Sequence, residues 1–368
     1  MSQAEILPIL RASVHDVRYF SALLRGVNFA NRAIITATEK GLVVVVEESR
    51  TLLGTAYIFS DVFDEFAFHP ENPEGQQPSR QAGEEETLYD SAFEIPLNTL
   101  LDLLNIFGTA SGASSSKSGR FKPLKSHDDE SDEQESNAEG DGEGLQQGGK
   151  NKKSKAGGVF SDRKTGMRLT YMGPGYPLTL IVTEDASSPI MTCEIATFDA
   201  EPHLELPFDV DQMVLKIILK SSWLRDALSE LDPSCDKLTF IGNPSENAET
   251  GAQTARQRQR ARMQAKPNLR IEATGTFGTT EMDYPNDRDV LESFECVKPV
   301  SFSYRFSHIV RTMRALQTSV KTSLRIDDEG LLSLQFLMPS PMSRLNPAGG
   351  PSNFIEFRCL ALEDEQNL

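Results

Sequence analysis

The sequence is poor in the residues that build metal centres, disulfide frameworks and membrane spans. Its 368 residues include only four cysteines, with no Cys-x-x-Cys pair and no histidine at metal-ligand spacing: Cys193, Cys235, Cys296 and Cys359. This pattern excludes a zinc module and a disulfide framework, and it indicates small buried side chains in a reducing compartment. The longest aliphatic run, residues 42–46, has only the length of a strand, which excludes a membrane-spanning helix. Residues 1–10 lack the basic start and apolar block of a signal peptide, so we expect none.

Basic residues are also scarce. There are 37 lysines and arginines against 54 aspartates and glutamates, which gives a formal charge of −17. A surface this acidic repels DNA and anionic lipid as a whole, so any contact with nucleic acid must be local. Three segments, 71–90, 109–155 and 243–266, are too polar to offset the entropy of ordering and are predicted to be disordered loops. The remaining 277 residues keep a formal charge of −14, so the folded part is acidic in its own right.

One pattern recurs four times in the rest of the chain: a strand, a helix and three further strands. Apolar residues three or four apart predict helices at 17–29, 97–107, 221–231 and 307–317. Ser221 is the predicted N-cap of the third helix and Gly108 the C-cap of the second. Strands are predicted at 6–14, 32–38, 41–48, 52–59, 93–96, 166–172, 178–183, 193–197, 212–219, 237–241, 268–275, 278–284, 300–306, 320–326, 330–338 and 354–360. The repetition favours a modular assembly with few free strand edges, and the alternative is an α+β protein with four unrelated helices.

Arginines recur on the polar faces of these helices. Arg18 and Arg25 share one face of the first helix, and Arg311 and Arg314 share one face of the fourth. The third helix carries Arg225, and the strand before it carries Lys216 and Lys220, whereas the second helix has a polar face of Asn98, Thr99, Asp102 and Asn105. These arginines are either ordinary solvating residues or a surface that binds phosphates without reading bases.

Six segments in order along the chain carry a family resemblance: TATEKGLVVVVEESRTLLGTAYIFSDVFDEFAF, IPLNTLLDLLNIFG, RLTYMGPGYPLTLIV, ILKSSWLRDALSELDPSCDKLTF, LRIEATGTFGTTEMDYPND and SVKTSLRIDDEGLLSLQFLM. The chain resembles the Rad-one-type subunits of the nine-one-one checkpoint clamp, within the proliferating-cell-nuclear-antigen-like DNA clamps. The resemblance implies an α+β clamp fold of two similar domains, each of two strand-helix-three-strand units, with helices inside and sheets outside. The implied boundaries are 1–197 for the first domain, with insertions at about 71–90 and 109–160, 198–207 for a connector, 208–362 for the second domain, with an insertion at about 243–266, and 363–368 for an acidic tail.

The same resemblance implies a non-enzymatic nuclear protein of DNA-damage checkpoint signalling and repair, without cofactor or metal. Two other clamp subunits would complete a heterotrimeric ring around duplex DNA, bound without sequence specificity, and the two end strands would pair with those subunits. A separate loader would place the ring on DNA, checkpoint and repair factors would dock on it, and no membrane is involved. The inner surface would carry Arg18, Arg25, Lys216, Lys220, Arg225, Arg311 and Arg314.

The three insertions are departures from the family pattern. The acidic part of the long one is interpreted as a solubilising spacer. Its basic end, with Lys150, Lys152, Lys153 and Lys155, fits a nuclear import signal but also simple charge balance. The alternating Arg256, Arg258, Arg260 and Arg262 form a candidate accessory contact with DNA or the loader.

Two other functions stay open at this point. A metal-dependent 3′ to 5′ exonuclease needs several carboxylates around two cations. The candidates by spacing are Asp209 with Asp211, Asp61 with Asp64 and Glu65, and Glu281 with Asp283, and none has a third carboxylate with a histidine or tyrosine at a recognisable offset. The other alternative is an acidic scaffold that makes no contact with DNA.

Overall fold

Alternation of apolar and polar residues makes this fold mostly strands. The computed structural model describes residues 7–70, 91–107, 164–184, 187–244, 267–284, 287–339 and 353–363. In the first half the strands are β1 Leu10–Val14, β2 Arg32–Thr38, β3 Gly41–Glu48, β4 Leu52–Phe59, β5 Glu65–Phe68, β6 Ser91–Pro96, β7 Gly166–Tyr171, β8 Leu178–Thr183, β9 Met191–Ile195 and β10 Phe198–Asp199. In the second half they are β11 Met213–Lys220, β12 Cys235–Gly242, β13 Leu269–Gly275, β14 Gly278–Tyr284, β15 Leu291–Cys296, β16 Val300–Arg305, β17 Lys321–Asp327, β18 Leu332–Leu337 and β19 Phe354–Cys359.

The helices are short and amphipathic. They are α1 Val17–Gly26, α2 Leu97–Leu104, α3 Ser221–Glu230, α4 Phe306–Arg311 and α5 Met313–Thr318, and a 3₁₀ turn covers Ser60–Val62. The strand, helix and strands recur four times, as the sequence predicts. After the helices α1, α2 and α3, however, a fourth strand follows: β5, β10 and β15 occupy segments for which no strand is predicted.

The described strands form three antiparallel sheets. One has the order β5-β1-β7-β8-β9, a second has the order β14-β13-β12-β16, and the largest, here called the central sheet, has the order β10-β6-β2-β3-β4-β19-β18-β17-β11-β15. The two halves of the chain match strand for strand with an offset of ten. The order β5-β1-β7-β8-β9 returns as β15-β11-β17-β18-β19, and β6-β2-β3-β4 returns as β16-β12-β13-β14. The halves join where β4 pairs with β19, from Leu52 opposite Cys359 to Tyr57 opposite Phe354.

A row of helices covers one face of the central sheet. Within it α1 contacts α2 on one side and α5 on the other, and α5 contacts α3. The side chains of Phe20, Leu24 and Leu316 are buried in the same hydrophobic core as Ile355 and Phe357 of β19. Each such burial stabilises the fold by about 1.5–3 kcal/mol. Gly26 allows the close approach of α1, because a Cβ atom at this position would overlap the Ile355 side chain.

Several predicted helix ends and caps differ from the structure. Helix α1 ends at Gly26, three residues before its predicted end. Helix α2 ends at Leu104 with Asn105 as its C-cap, three residues before the predicted end, and the predicted cap Gly108 lies outside the described residues. Ser221 is not an N-cap: it is the first residue of α3, and its hydroxyl bonds to the hydroxyls of Thr322 and Ser319 at 2.9 and 2.7 Å.

The predicted fourth helix is broken in two at Thr312. The Thr312 hydroxyl donates to the carbonyl oxygen of Ile309 at 2.7 Å, and its backbone nitrogen bonds to the same carbonyl at 3.0 Å. Threonine hydroxyls that bond back to the preceding turn bend helices, which accounts for the interruption.

The segment that joins the two halves crosses the face of the central sheet opposite the helix row. Leu206 is buried there in a small cluster with Val45, Leu53 and Leu331. The backbone nitrogen of Leu204 donates to Glu47 Oε2 at 2.8 Å, and Arg358 Nη1 donates to the carbonyl oxygen of Leu206 at 2.7 Å. We call the two surfaces of the central sheet the helix face and the connector face.

Candidate nucleic-acid interface

In helix α1, Arg18 lies beside Asp16, the N-cap residue of the helix. Asp16 has extended backbone angles, and its Oδ1 accepts a hydrogen bond from the Arg18 nitrogen at 3.1 Å. The Arg18 guanidinium returns to the same carboxylate, with Nη2 2.6 Å from Oδ2. Partial burial works to raise the pKa of Asp16, but the hydrogen bonds and charge of Arg18 outweigh it and hold that pKa below its ordinary value. The positive charge of Arg18 is therefore largely compensated within the chain.

Arg311 is compensated in the same way, by a residue far away in the sequence. Its Nε lies 3.0 Å from Glu48 Oε2 and its Nη2 donates to Glu48 Oε1 at 3.1 Å. Glu48 ends β3, so this two-pronged pair links the two halves of the chain across the helix face.

Arg25 and Arg314 face a common groove of about 280 Å³ where α1, α2 and α5 meet. Asparagines supply most of its other polar groups, and its lining is Arg25, Asn28, Asn98, Leu101, Asp102, Asn105 and Arg314. Arg314 Nη1 donates to the backbone carbonyl of Asn28 at 2.5 Å, which fixes the guanidinium without neutralising it. Burial lowers the pKa of Arg25. Two guanidiniums and several amides around one groove are a suitable set of donors for a phosphate.

Arg225 lies apart from that groove on α3. Its guanidinium contacts the neighbouring Asp226 at 3.0 Å, and both side chains are exposed. Exposed pairs of this kind contribute little to stability, so Arg225 is held only loosely.

The two predicted lysines, Lys216 and Lys220, do not lie on the helix face. Lys216 pairs in register with Arg325 of β17, on the connector face, and its Nζ lies 3.2 Å from Glu295 Oε1. Successive side chains of a strand point to opposite faces, so Lys220, four residues later, lies on the same side as Lys216. Leu215, Ile217 and Leu219 are the residues that turn inward. The expectation that both lysines share the surface of the helix arginines is therefore wrong.

Both basic clusters of the insertions lie outside the described residues. These are Lys150, Lys152, Lys153 and Lys155 of the first cluster and Arg256, Arg258, Arg260 and Arg262 of the second. Their proposed roles stay predictions.

The carboxylates considered for metal-dependent cleavage are engaged elsewhere. Asp209 Oδ1 accepts from the nitrogens of Asp211 and Gln212 at 2.9 and 3.2 Å. Asp283 is held by Arg270 at 2.6 and 3.0 Å, and Glu281 pairs with the same arginine.

The remaining carboxylate set also has its own partners. Asp64 lies 2.8 Å from His15 Nδ1, and Glu65 pairs with Arg11 at 3.4 Å. Burial raises the pKa of Asp61. Across the described part of the chain, no three His, Cys, Asp or Glu side chains are placed to hold a metal ion. Among the same residues, no helix is long and apolar enough to cross a membrane.

Two interface residues have no signal in the sequence. Glu48 and Asn28 hold Arg311 and Arg314 from 263 and 286 residues away. Only the pairing of β4 with β19 brings them together, and no local pattern encodes that contact.

Three sheets with a row of helices on one face, repeated in two matching halves, define a class of fold. The structure of the proliferating cellular nuclear antigen from Entamoeba histolytica is similar, with a TM-score of 0.58 and 13% identity, over 97% of this chain and 100% of that one. The fold is that of the DNA clamps.

The family described as "Repair protein Rad1/Rec1/Rad17" matches residues 9–338, and the chain belongs to this family. The chain is 28% identical over 355 residues to the mouse (Mus musculus) cell cycle checkpoint protein RAD1, covering 96% of this chain and 93% of that protein. It is 27% identical to the DNA damage checkpoint control protein rad1 of Schizosaccharomyces pombe, over 97% of this chain and 89% of that one. A third relative, also 27% identical over 99% and 95% of the two chains, is the DNA repair exonuclease REC1 of Mycosarcoma maydis. The resemblance seen in the sequence is thereby confirmed.

Proposed function

We propose that this chain is one subunit of a heterotrimeric sliding clamp that encloses duplex DNA against its helix row. The observation that carries the proposal is the groove shared by Arg25 and Arg314. The sequence has a charge of −17, so favourable contact with phosphates is confined to a restricted surface. A surface of this kind binds the backbone of DNA without reading its sequence.

The internal repeat supports ring closure. Within the chain β4 pairs with β19, and their counterparts ten strands away are β14 and β9. Both of these are edge strands: β14 pairs only with β13, and β9 only with β8, among the described strands. We propose that β14 of one subunit pairs with the β9 equivalent of the next, in the manner of β4 and β19.

On this proposal the chain divides into the two clamp domains 1–197 and 208–362, with 198–207 as the connector. The protein acts in the nucleus as a platform for checkpoint and repair factors, after a separate loader has placed the ring on DNA. The helix-face residues assigned to DNA are Arg18, Arg25, Arg225, Arg311 and Arg314, with Arg25 and Arg314 contributing most.

Topological retention tests this function directly. The chain is assembled with two other clamp subunits of its organism and loaded by their loader onto a nicked circular plasmid. The ring is expected to stay bound to the circle at high salt and to leave when one restriction cut linearises the DNA. The reversal variant Arg25→Glu/Arg314→Glu should assemble normally but be retained less. Equal retention on circular and linear DNA would reject enclosure.

A second function rests on the printed name of one relative, the exonuclease REC1. Against it stands the separate engagement of each candidate carboxylate pair in the described residues. The proposal is therefore a non-enzymatic clamp, and the assay that separates the two functions is given in the Discussion.

A further inference from the structure

The junction inside the chain has a definite electrostatic polarity. Where β4 meets β19, the side that contains β19, α4 and α5 supplies the cations, and the side that contains β4 and α1 supplies the acceptors. Arg311 reaches Glu48, and Arg314 reaches the carbonyl oxygen of Asn28. A junction between two subunits that repeats this geometry therefore has one side that supplies cations and one side that supplies acceptors.

The end of the chain formed by β14 and α3 corresponds to the acceptor side, and we call it the acidic end. Trp223, Asp226 and Glu230 lie on one exposed face of α3. Tyr284 of β14 lies near both of these carboxylates. Burial raises the pKa of its phenol, and the negative charges of Glu230 and Asp226 raise that pKa further.

The strand itself adds to this charge. Glu281 and Asp283 of β14 and Glu272 of β13 share the outer surface of the sheet, with Arg270 between them. Five carboxylates thus face two guanidiniums, those of Arg225 and Arg270, among the described residues of the acidic end. A net negative charge persists after the internal pairs are made.

Exposed aromatic side chains accompany the charge. Phe277, at the tip of the hairpin between β13 and β14, is 86% exposed, and Trp223 is 42% exposed. Large aromatic residues in this position are typical of the anchors of protein interfaces. Because β14 is also an unpaired edge, the acidic end has backbone donors and acceptors, aromatic anchors and negative charge on one surface.

The described residues at the opposite end of the chain do not complement the charge of this surface. This opposite end is formed by β9 and α2 and corresponds to the cation-bearing side of the internal junction. Yet residues 91–107 and 187–199 contain no lysine or arginine, and this end exposes Ile106, Ile190 and Met191 instead. The charged residues in these two ranges are all acidic: Glu94, Asp102, Glu194 and Asp199. A second copy of this chain would therefore place carboxylates opposite an end whose residues 91–107 and 187–199, the part that the structure describes, include no lysine or arginine.

We infer that the acidic end binds a different clamp-type subunit, whose edge strand and adjoining helix carry lysines and arginines beside an apolar pocket for Phe277. The inference rests on the proposed function and sharpens it, since it assigns the basic partner to β14 and α3. The other partner, at β9 and α2, meets a mainly apolar surface. Charge complementarity makes the first interface salt-dependent and the second nearly salt-independent.

The experiment measures binding of the full chain to each of the other two clamp subunits separately, at 50 and 500 mM NaCl. We expect one subunit to lose affinity by about tenfold or more at high salt, and the other to change by about twofold or less. The triple variant Asp226→Lys/Glu230→Lys/Glu281→Lys should lose about a hundredfold for the salt-sensitive subunit alone. The matched reversal at the other end, Asp102→Lys/Glu194→Lys, should leave that subunit bound.

Thermal melting checks that the triple variant is folded. A milder variant, Asp226→Asn/Glu230→Gln/Glu281→Gln, should show an intermediate loss of affinity for the salt-sensitive subunit. Equal salt dependence of both pairs, or normal binding of the triple variant to both subunits, would overturn the inference and leave the clamp function standing. Closed rings of this chain alone, seen by sedimentation, would overturn it as well. Failure of the unaltered chain to bind either subunit would reject the proposed function and the inference together.

Discussion

Arg311 and Glu48 form a two-pronged ion pair across the junction of the two halves, with guanidinium nitrogens 3.0 and 3.1 Å from the carboxylate oxygens. Arg314, three residues later, bonds instead to a neutral backbone carbonyl. These two arginines, one at the end of α4 and the other in α5, therefore differ in the charge that they offer to a ligand. The ion-paired guanidinium of Arg311 is therefore expected to contribute less to phosphate binding than that of Arg314, which bonds to a neutral carbonyl.

The first prediction compares the two arginines of the groove, Arg25 and Arg314, with Arg311, which is held by Glu48. The variant Arg25→Ala/Arg314→Ala should weaken DNA retention by the assembled ring and lower the slope of log affinity against log salt by about 2, since two phosphate contacts are lost. The matched variant Arg311→Ala/Glu48→Ala removes one charge of each sign, so its slope should stay close to that of the unaltered ring. The measurement is DNA binding across a series of salt concentrations.

Assembly of the ring, followed by size exclusion, is the control for both variants. If Arg311→Ala/Glu48→Ala lowers the slope as much as the groove variant, the assignment of the phosphate site to Arg25 and Arg314 is wrong.

Glu356 is a buried carboxylate that organises the connector face. Its two oxygens lie 2.9 Å from Arg325 and Arg358, and its Oε1 also accepts from Ser333 at 2.6 Å. Arg358 continues to the carbonyl of Leu206, and the guanidinium of Arg325 lies over the ring of Phe208. Burial lowers the pKa of Arg325, and the charge of Glu356 opposes this effect.

The second prediction is that Glu356→Ala lowers the free energy of unfolding by about 3–5 kcal/mol, because two partly buried guanidiniums lose their counterion. Urea unfolding measures this loss. Limited proteolysis should also cut the variant faster between residues 200 and 210, since the connector loses its anchor.

Glu356→Gln is the control, because it keeps the shape and some hydrogen bonds and should lose less stability. Unfolding curves of Glu356→Ala that match those of the unaltered chain would mean that the network contributes nothing to stability.

The sequence predicts strands with local pattern signals well and strands of mixed composition poorly. The predicted β2, β3, β4, β8 and β14 agree with the structure to the residue. Their apolar alternation and turn residues are local signals, which a single sequence contains. In contrast β5 and β15 mix charged and aromatic residues, as in EFAF and LESFEC, and only their neighbours in the sheet make them strands.

The candidate site divides in the same way. Helix periodicity places Arg18, Arg25, Arg311 and Arg314 on exposed faces without knowledge of the fold. The face of a strand, however, depends on which side of the sheet the rest of the chain covers, and this explains the wrong placement of Lys216. The neutralisation of Arg311 depends on Glu48, a contact across 263 residues that no spacing rule predicts.

The third prediction concerns nuclease activity. The purified chain, with Mg²⁺ or Mn²⁺ and end-labelled duplex DNA, should release no nucleotides, because Asp209 caps a turn and Asp283 is held by Arg270. The control is a set of preparations of Asp209→Asn and Asp283→Asn, which should behave identically to the unaltered chain. Nucleotide release that either substitution abolishes would establish an exonuclease.

The fourth prediction follows from His308, which is buried on α4 with its Nδ1 3.7 Å from the Cys359 sulfur. Burial lowers the pKa of His308 below its ordinary value of 6.5, Glu48 opposes this, and Arg305 and Arg311 add to it. As the pH falls through about 6.5, the unfolded chain therefore takes up a proton that the folded chain does not, and stability falls. Glutamine does not titrate, so His308→Gln lacks this loss of stability at low pH. The difference in the free energy of unfolding between the unaltered chain and His308→Gln should therefore shrink from pH 7.5 to 5.5, by about 1 kcal/mol at most. Urea unfolding at both pH values measures the difference. His69→Gln, on the exposed surface, is the control. Parallel pH slopes of His308→Gln and the unaltered chain would show that His308 titrates equally in the folded and unfolded states.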